Sequence, residues 1–442
     1  MMTTTPVNRL ILRMSVPTIT SMLVTAIYNI VDAYYVGHLS TAATAGVGVA
    51  FAYQCFIQAI GFFFGSGSGN FISRALGARQ DDKAEEMAAT GFLSAFLIGA
   101  IVGTLGLVFL TPLSLMLGST QEILPHACSY LRFILIATPF MISQMVLNNQ
   151  LRLQGNATYG MVGLIVGAVL NVLLDPLFMY RLGLGVSGAS LATFISQFCS
   201  WCTLLWFTSV DGSVHIRLRK FRPTLQNYTE IVKGGLPSLS RQVLGAISAV
   251  CLNRAAVHYA VPGLEASTVA AFAVVSRVMQ CAMSTILGFG QGFQPVCGFN
   301  WGAQLYMRVK DSFLFTVRTC TTGIVIMSIF GLIFAPEIIS FFRSEDPELI
   351  RIGTTVLRWQ CIAFPLVGLT TPTNMLLQNI RRTGMATILA MGRQGLFFYP
   401  AILIAPRIWG LSGLQATLAI ADLCTFLLAL PFAIRIIREL NG

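Results

Sequence analysis

The chain has 442 residues, 55% apolar and only 10% charged, with a formal net charge of +11. Soluble domains are nearer 25% charged, and no polar stretch here is long enough to build one. The apolar runs are continuous rather than alternating, which excludes a β-barrel and leaves an all-α polytopic membrane protein.

Runs of twenty or so apolar residues predict twelve spans, at about 14–37, 47–73, 88–112, 128–150, 157–180, 187–209, 230–257, 266–296, 312–335, 351–376, 385–406 and 412–434. Arg9 and Arg13 precede the first span, and no small-residue cleavage site follows it. It therefore reads as an uncleaved span rather than a signal peptide. With the N-terminus inside, seventeen Lys and Arg from Arg9 to Arg438 fall on the inner side. Only Arg181, Arg343, Arg351 and Arg407 fall outside. This positive-inside bias accounts for the basic charge without nucleic acid and puts both termini in the cytoplasm.

The longest basic linker, Asp211 to Glu230, divides the spans into two sets of six, with lobes at 1–215 and 216–442. A repeat supports the division. Ser15-Val-Pro17 matches Gly235-Leu-Pro237, and Phe64-Gly-Ser-Gly67 matches Phe289-Gly-Gln-Gly292. Ile136-Ala-Thr-Pro139 matches Ile362-Ala-Phe-Pro365, and Gly185-Val-Ser-Gly188 matches Gly410-Leu-Ser-Gly413. The offsets lie close to 225 residues. Six spans per half is an even number, so a pseudo-twofold along the membrane normal is expected, as in parallel-repeat transporters.

Several motifs carry no chemistry. Gly65-Ser-Gly67-Ser-Gly69 ends an apolar helix rather than joining strand to helix, so it is no dinucleotide fingerprint. GxxxxGK[ST] and HExxH are absent, and no nucleophile with a base can be assembled, so an enzyme is not expected. Four His offer no metal cluster, and no cofactor is expected. Cys199 and Cys202 have CxxC spacing inside an apolar helix and read as structural thiols. Gly163 and Gly167 form a GxxxG pattern suited to close helix packing. Pro17 and Pro237 lie inside spans, where proline kinks a helix; Pro17 is a hinge candidate.

Two acids remain. Asp32 is the lone acid of the first span and Asp175 that of the fifth. An Asp near a bilayer centre costs about 2.5–3.5 kcal/mol on insertion scales, and such residues are usually functional. Thr25 and Tyr28 share a helix face with Asp32, and Asn171 shares one with Asp175; on the sixth span Thr193 and Gln197 stand four apart. A polar network that only fixes packing is the bland alternative. Asp422, Arg241 and Arg393 also lie within spans, with interlobe or cavity-lining roles open to the two arginines.

The chain resembles the multidrug and toxic compound extrusion (MATE) family of the wider multidrug/oligosaccharidyl-lipid/polysaccharide (MOP) exporter superfamily. The resemblance rests on Val31-Asp32-Ala-Tyr-Tyr-Val-Gly37, Leu153-Gln-Gly155-Asn156, Asn171-Val-Leu-Leu-Asp175-Pro176, Gly290-Gln-Gly292-Phe-Gln-Pro295 and Arg393-Gln394. It implies two six-helix lobes and a cation-coupled antiporter. Asp32, Asn171, Asp175 and Thr193 match a cation-responsive network of the first lobe in the DinF/MepA-like branch. Tyr130 and Asn148 match lesser members. The NorM-like branch carries an acid in the seventh span, where this chain has Arg241-Gln242.

The expectation is therefore an exporter of amphipathic, often cationic compounds, working by alternating access as a monomer in the lipid bilayer of the cytoplasmic membrane. Protons are favoured over sodium as the counter-ion, although Asp32, Asn171, Asp175 and Thr193 also supply oxygens suited to Na+. The rival is a lipid-linked oligosaccharide or precursor flippase of the same superfamily, which would want a basic cavity.

Overall fold

The computed structural model describes residues 2–37, 41–210, 214–342 and 346–440; Arg343 and Asp211 lie outside them. The described residues are almost wholly helical and contain no strand. Ten of the helical stretches are long and apolar enough to cross a membrane.

Two stretches explain the difference from twelve. Residues 383–439 form one run of 57 that carries two expected spans, broken at Gly410, whose φ of 57° no helix interior allows. Helix α8, Leu225–His258, is long enough but carries Glu230, Lys233, Arg241 and Arg254, which lower its apolarity.

The first half contains α1 (Val7–Gly37), α2 (Thr41–Gly77), α3 (Asp81–Val108), the short α4 (Leu110–Met116), α5 (Leu124–Leu153), α6 (Ala157–Pro176) and α7 (Val186–Phe207). The second contains α8, α9 (Glu265–Gly302), α10 (Tyr306–Ile333), α11 (Ala335–Phe342), α12 (Pro347–Ala363), α13 (Val367–Asn379), α14 (Thr383–Met391) and α15 (Phe398–Glu439). The expected span 351–376 is two helices, because Pro365 removes a backbone donor and the chain makes a 3₁₀ turn at Phe364–Leu366.

The repeat extends to backbone detail. Gly185 and Gly410 adopt nearly one conformation, φ 55°, ψ −129° and φ 57°, ψ −135°. Arg79 and Gln304, also 225 apart, are both left-handed at φ 57° and 59°. Asn148 Nδ2 donates to Gly160 O at 3.0 Å, and Asn374 Nδ2 donates to Ala386 O at 2.6 Å, each bond spanning twelve residues.

The described residues form two compact units. The first comprises Val16–Leu239, Gly298–Gln304 and the residues before Thr5; the second comprises Thr5–Ser15, Ser240–Cys297 and Leu305–Gly442. Helices α1 and α8 thus change unit beside their own prolines, Pro17 and Pro237. Inside the first unit the start of α8 lies hard against α2. A Cβ on Gly67 would come within 2.3 Å of Ile231 O, and one on Gly235 within 2.2 Å of Phe63 O. Ser66 and Ser238 hydroxyls bond at 2.9 Å across the same seam. On the linker, Lys220 Nζ reaches Asp82 at 2.8 Å and Glu85 at 2.7 Å, which fastens the linker to the start of α3.

Candidate functional site

The site begins with the crossing of α6 and α7. Gly163 leaves room for Leu204, whose Cδ2 would stand 2.3 Å from a Cβ there, and Gly167 abuts Ser200. Ser200 Oγ donates to Gly163 O at 2.7 Å. The GxxxG pattern therefore does what small residues do in membranes, letting two backbones approach. That approach sets Asn171 and Asp175 of α6 against Thr193 of α7. Asn171 Nδ2 donates to Asp175 Oδ1 at 3.3 Å and to Thr193 Oγ1 at 3.4 Å. Thr193 in turn donates to Ala189 O at 3.0 Å. All three side chains are buried.

Helix α1 brings Asp32 within hydrogen-bonding reach of Asp175. Asp32 Oδ1, Asp175 Oδ2 and Asn171 Oδ1 are buried and have no donor. Three orphan acceptors in one cluster want positive charge: a proton, a metal cation or a cationic group. Two facing carboxylates repel when both are ionised, whereas one proton between them serves both.

Aromatic rings border the acids. Tyr28 reaches Gln197 and lies near both carboxyls. Tyr130, 1% exposed, also lies near them and accepts a hydrogen bond from Gln54 Nε2 at 3.4 Å. The Thr25 hydroxyl is spent on Ser21 O at 2.8 Å, and Ser21 donates to Pro17 O at 2.9 Å. These back-bonds occupy carbonyls around the proline and favour a bend in α1.

Not every candidate joins this cluster. Asn148 bonds to Gly160, fifteen residues before Asp175 on α6, or about 22 Å away along the helix. Its partner in the repeat, Asn374, makes the same tie, so Asn148 binds α5 to α6. Arg241 and Arg393 belong to the second unit. Arg393 Nε stands 2.6 Å from Asp422 Oδ1.

Two features escaped the sequence reading. Gln54 gave no signal, being one polar residue in α2. After Asp175 the chain makes a π-helical turn at Leu177–Arg181, of the kind that often marks functional sites. Pro176, which lacks a donor, was the available clue. Tyr180, within that turn, donates its hydroxyl to Tyr35 O at 2.7 Å and so ties the turn to α1.

A family model described as MatE matches residues 17–177 and 248–402, well over half of the chain. The chain belongs to the MatE family. Among curated relatives, the multidrug export protein MepA of Staphylococcus haemolyticus is 26% identical over 416 residues, 93% of this chain and 90% of that protein. MepA of Staphylococcus aureus is 25% identical over 437 residues, 98% and 95%. A solved structure described as the outward-facing conformation of a multidrug resistance MATE family transporter of the MOP superfamily gives a TM-score of 0.92. It is 24% identical and covers 100% of this chain and 98% of its own. A MOP superfamily transporter from Pyrococcus furiosus, described as having a binding pocket of reversed polarity, gives 0.92 at 25% identity with the same coverage. A MatE fold therefore extends along the described chain, and Asp32, Asn171 and Asp175 sit inside the first matched segment. The protein is a multi-pass membrane transporter of this family.

Proposed function

We propose that the protein is a cation-coupled antiporter that exports amphipathic, often cationic compounds by alternating access, with protons as the counter-ion. It would sit in the cytoplasmic membrane with both termini inside. The observation that carries this reading is the set of donorless oxygens on Asp32, Asp175 and Asn171. The cluster has places for positive charge and no resident cation among its side chains. The description of its relatives as multidrug export proteins supports the choice of cargo.

The chemistry runs through competition. With the carboxylates ionised, the site attracts a cationic substrate. A proton arriving between Asp32 and Asp175 cuts the site's charge from two negative to one and satisfies both orphan oxygens, so the hold on the cation weakens, the α1 face repacks and the substrate leaves outward. Pro17 and the back-bonded Ser21 and Thr25 give α1 a place to bend. Deprotonation to the cytoplasm resets the site. In vesicles clamped at equal pH, an imposed sodium gradient then drives little exchange.

Asp32→Asn keeps the side chain's shape but cannot titrate. Cells carrying it at normal protein levels should lose resistance to a cationic dye, and vesicles should lose dye uptake driven by a pH gradient. Full resistance and full uptake would sink the assignment.

A further inference from the structure

The charges inside the second unit have the opposite sign from those of the acid cluster. Its membrane segments hold Arg241, Arg254, Arg277, Arg318, Arg358 and Arg393, with Asp422 as the acid deep in the last span. Arg254, Arg277, Arg318 and Arg358 are exposed, whereas Arg241 and Arg393 are partly buried. Arg393 stands ten residues past the start of α14, about 15 Å along the helix. Arg241 stands eight residues past Lys233 on α8, about 12 Å. Both are deep within their spans, where an arginine is expensive and faces a bundle interior or water rather than lipid.

Arg393 has one charged partner among the described residues. Its Nε forms an ion pair with Asp422 Oδ1 at 2.6 Å. Its Nη1 meets Met283 Sδ at 3.4 Å, a weak acceptor. The acid side chain is 5% exposed and the arginine 22%, so the carboxylate is covered while part of the arginine side chain stays exposed. Arg393 sits on a π-helical turn, Gly392–Leu396. That turn is clamped to α8: Ser248 Oγ donates to Gln394 O at 2.5 Å, and Gln394 Oε1 would lie 2.9 Å from a Cβ on Gly245. Arg241 is one turn before Gly245 on the same face, and it has no hydrogen-bond or ion-pair partner among the described residues.

We propose that Arg241 and Arg393 form a binding site for the carboxylate group of an organic substrate. The two arginines and Asp422 sum to one net positive charge, which suits a singly charged anion better than a phosphate. Arg393 offers its Nη nitrogens, held from the protein side only by the weak acceptor Met283 Sδ, and a guanidinium is the fork that carboxylates fit. Asp422 is a positioning residue that holds the guanidinium at its Nε. A purely structural pair does not explain the arrangement. Buried ion pairs seldom improve on apolar packing, and pairing leaves Arg241 without any role.

This inference deepens the transporter reading and rests on it for the word substrate. Its test uses binding alone. The full-length protein in lipid nanodiscs is titrated with an aromatic monocarboxylate, its methyl ester, the matching aromatic amine, and an amphoteric compound bearing both groups. The carboxylate should bind about tenfold or more tightly than the ester, as for a charge-assisted hydrogen bond. R241Q should erase that preference and leave amine affinity unchanged. R393Q leaves Asp422 unpaired, so R393Q/D422N is the companion variant, with the same loss expected.

Equal affinity for acid and ester, or a preference that survives in either R241Q or R393Q/D422N, overturns the proposal. With the preference present, an amphoteric compound that binds more tightly than either single-charge probe identifies amphoteric substrates. Equal binding of the simple acid identifies organic acids. Failure of amine export would count against the antiporter reading and would not touch the acid–ester comparison.

Discussion

Replacing Asp175 by Asn separates the titrating proton from the packing around it. The structure sets the scale of the effect. The first unit's cluster contains two carboxyls, so at most two protons move per cycle through it. With the membrane potential clamped at zero, each proton contributes about 1.4 kcal/mol per pH unit. The accumulation ratio of a monovalent cationic dye should then rise about tenfold per pH unit for one proton and about a hundredfold for two. One proton between the facing acids serves both orphan oxygens, so the tenfold slope is expected. In D175N the slope should fall to nothing. Stability should hold, because the amide oxygen of Asn still accepts from Asn171 Nδ2, at 3.3 Å in the present arrangement. The melting temperature should be unchanged or higher, since an ionisable group at that depth costs about 2.5–3.5 kcal/mol. The assay is steady-state dye accumulation in proteoliposomes at three imposed pH differences, with a thermal melt of each variant. A tenfold slope surviving in D175N, or a wild-type slope above a hundredfold, would refute the reasoning.

Other outcomes follow from the same structure. A sodium gradient at equal pH should drive less than a tenth of the uptake given by one pH unit in the same vesicles; comparable rates would transfer the oxygen cluster to Na+. A cysteine at Gln121 should react with an impermeant reagent from outside and one at Lys83 only from inside; both positions are exposed, and the reverse pattern would invert the topology. Gly67→Ala puts a methyl 2.3 Å from Ile231 O, where backbone must move, and overpacking of that kind costs about 1–3 kcal/mol. Its melting temperature should fall, while that of Gly323→Ala, inside α10 with nothing within 4 Å, should hold or rise.

The legible part of the site was the part carried by spacing and cost. Asp32 and Asp175 stood out because acids in apolar spans are rare, and Asn171 followed from the four-residue turn. GxxxG marked the α6–α7 contact without naming Leu204 and Ser200 as what fills it. Gln54 was invisible because its role depends on how α2 meets α5, which no local pattern encodes. Asp422 and Arg393 were each conspicuous, but their pairing depends on a π-helical turn that shifts Arg393 off the regular helix face. Span 351–376 looked continuous because its residues are apolar on both sides of Pro365. Ser119 and Ala84, natural labelling choices by loop position, are both buried. Ala84 opens α3 on the face turned to the core, a side that composition alone does not distinguish.

The changes of unit along α1 and α8 bear on how the gene can be divided. A cut between residues 215 and 216 looks natural, since it falls in the linker between the repeats. Yet the first unit needs residues 225–239, seated on the glycines of α2, and Gly298–Gln304. The second needs Thr5–Ser15, where Ser15 Oγ donates to Phe289 O at 3.1 Å. Neither fragment owns all of its unit. Two polypeptides made from such a gene would each lack segments that their own unit is built with, so a split at that point should leave neither half able to complete its unit.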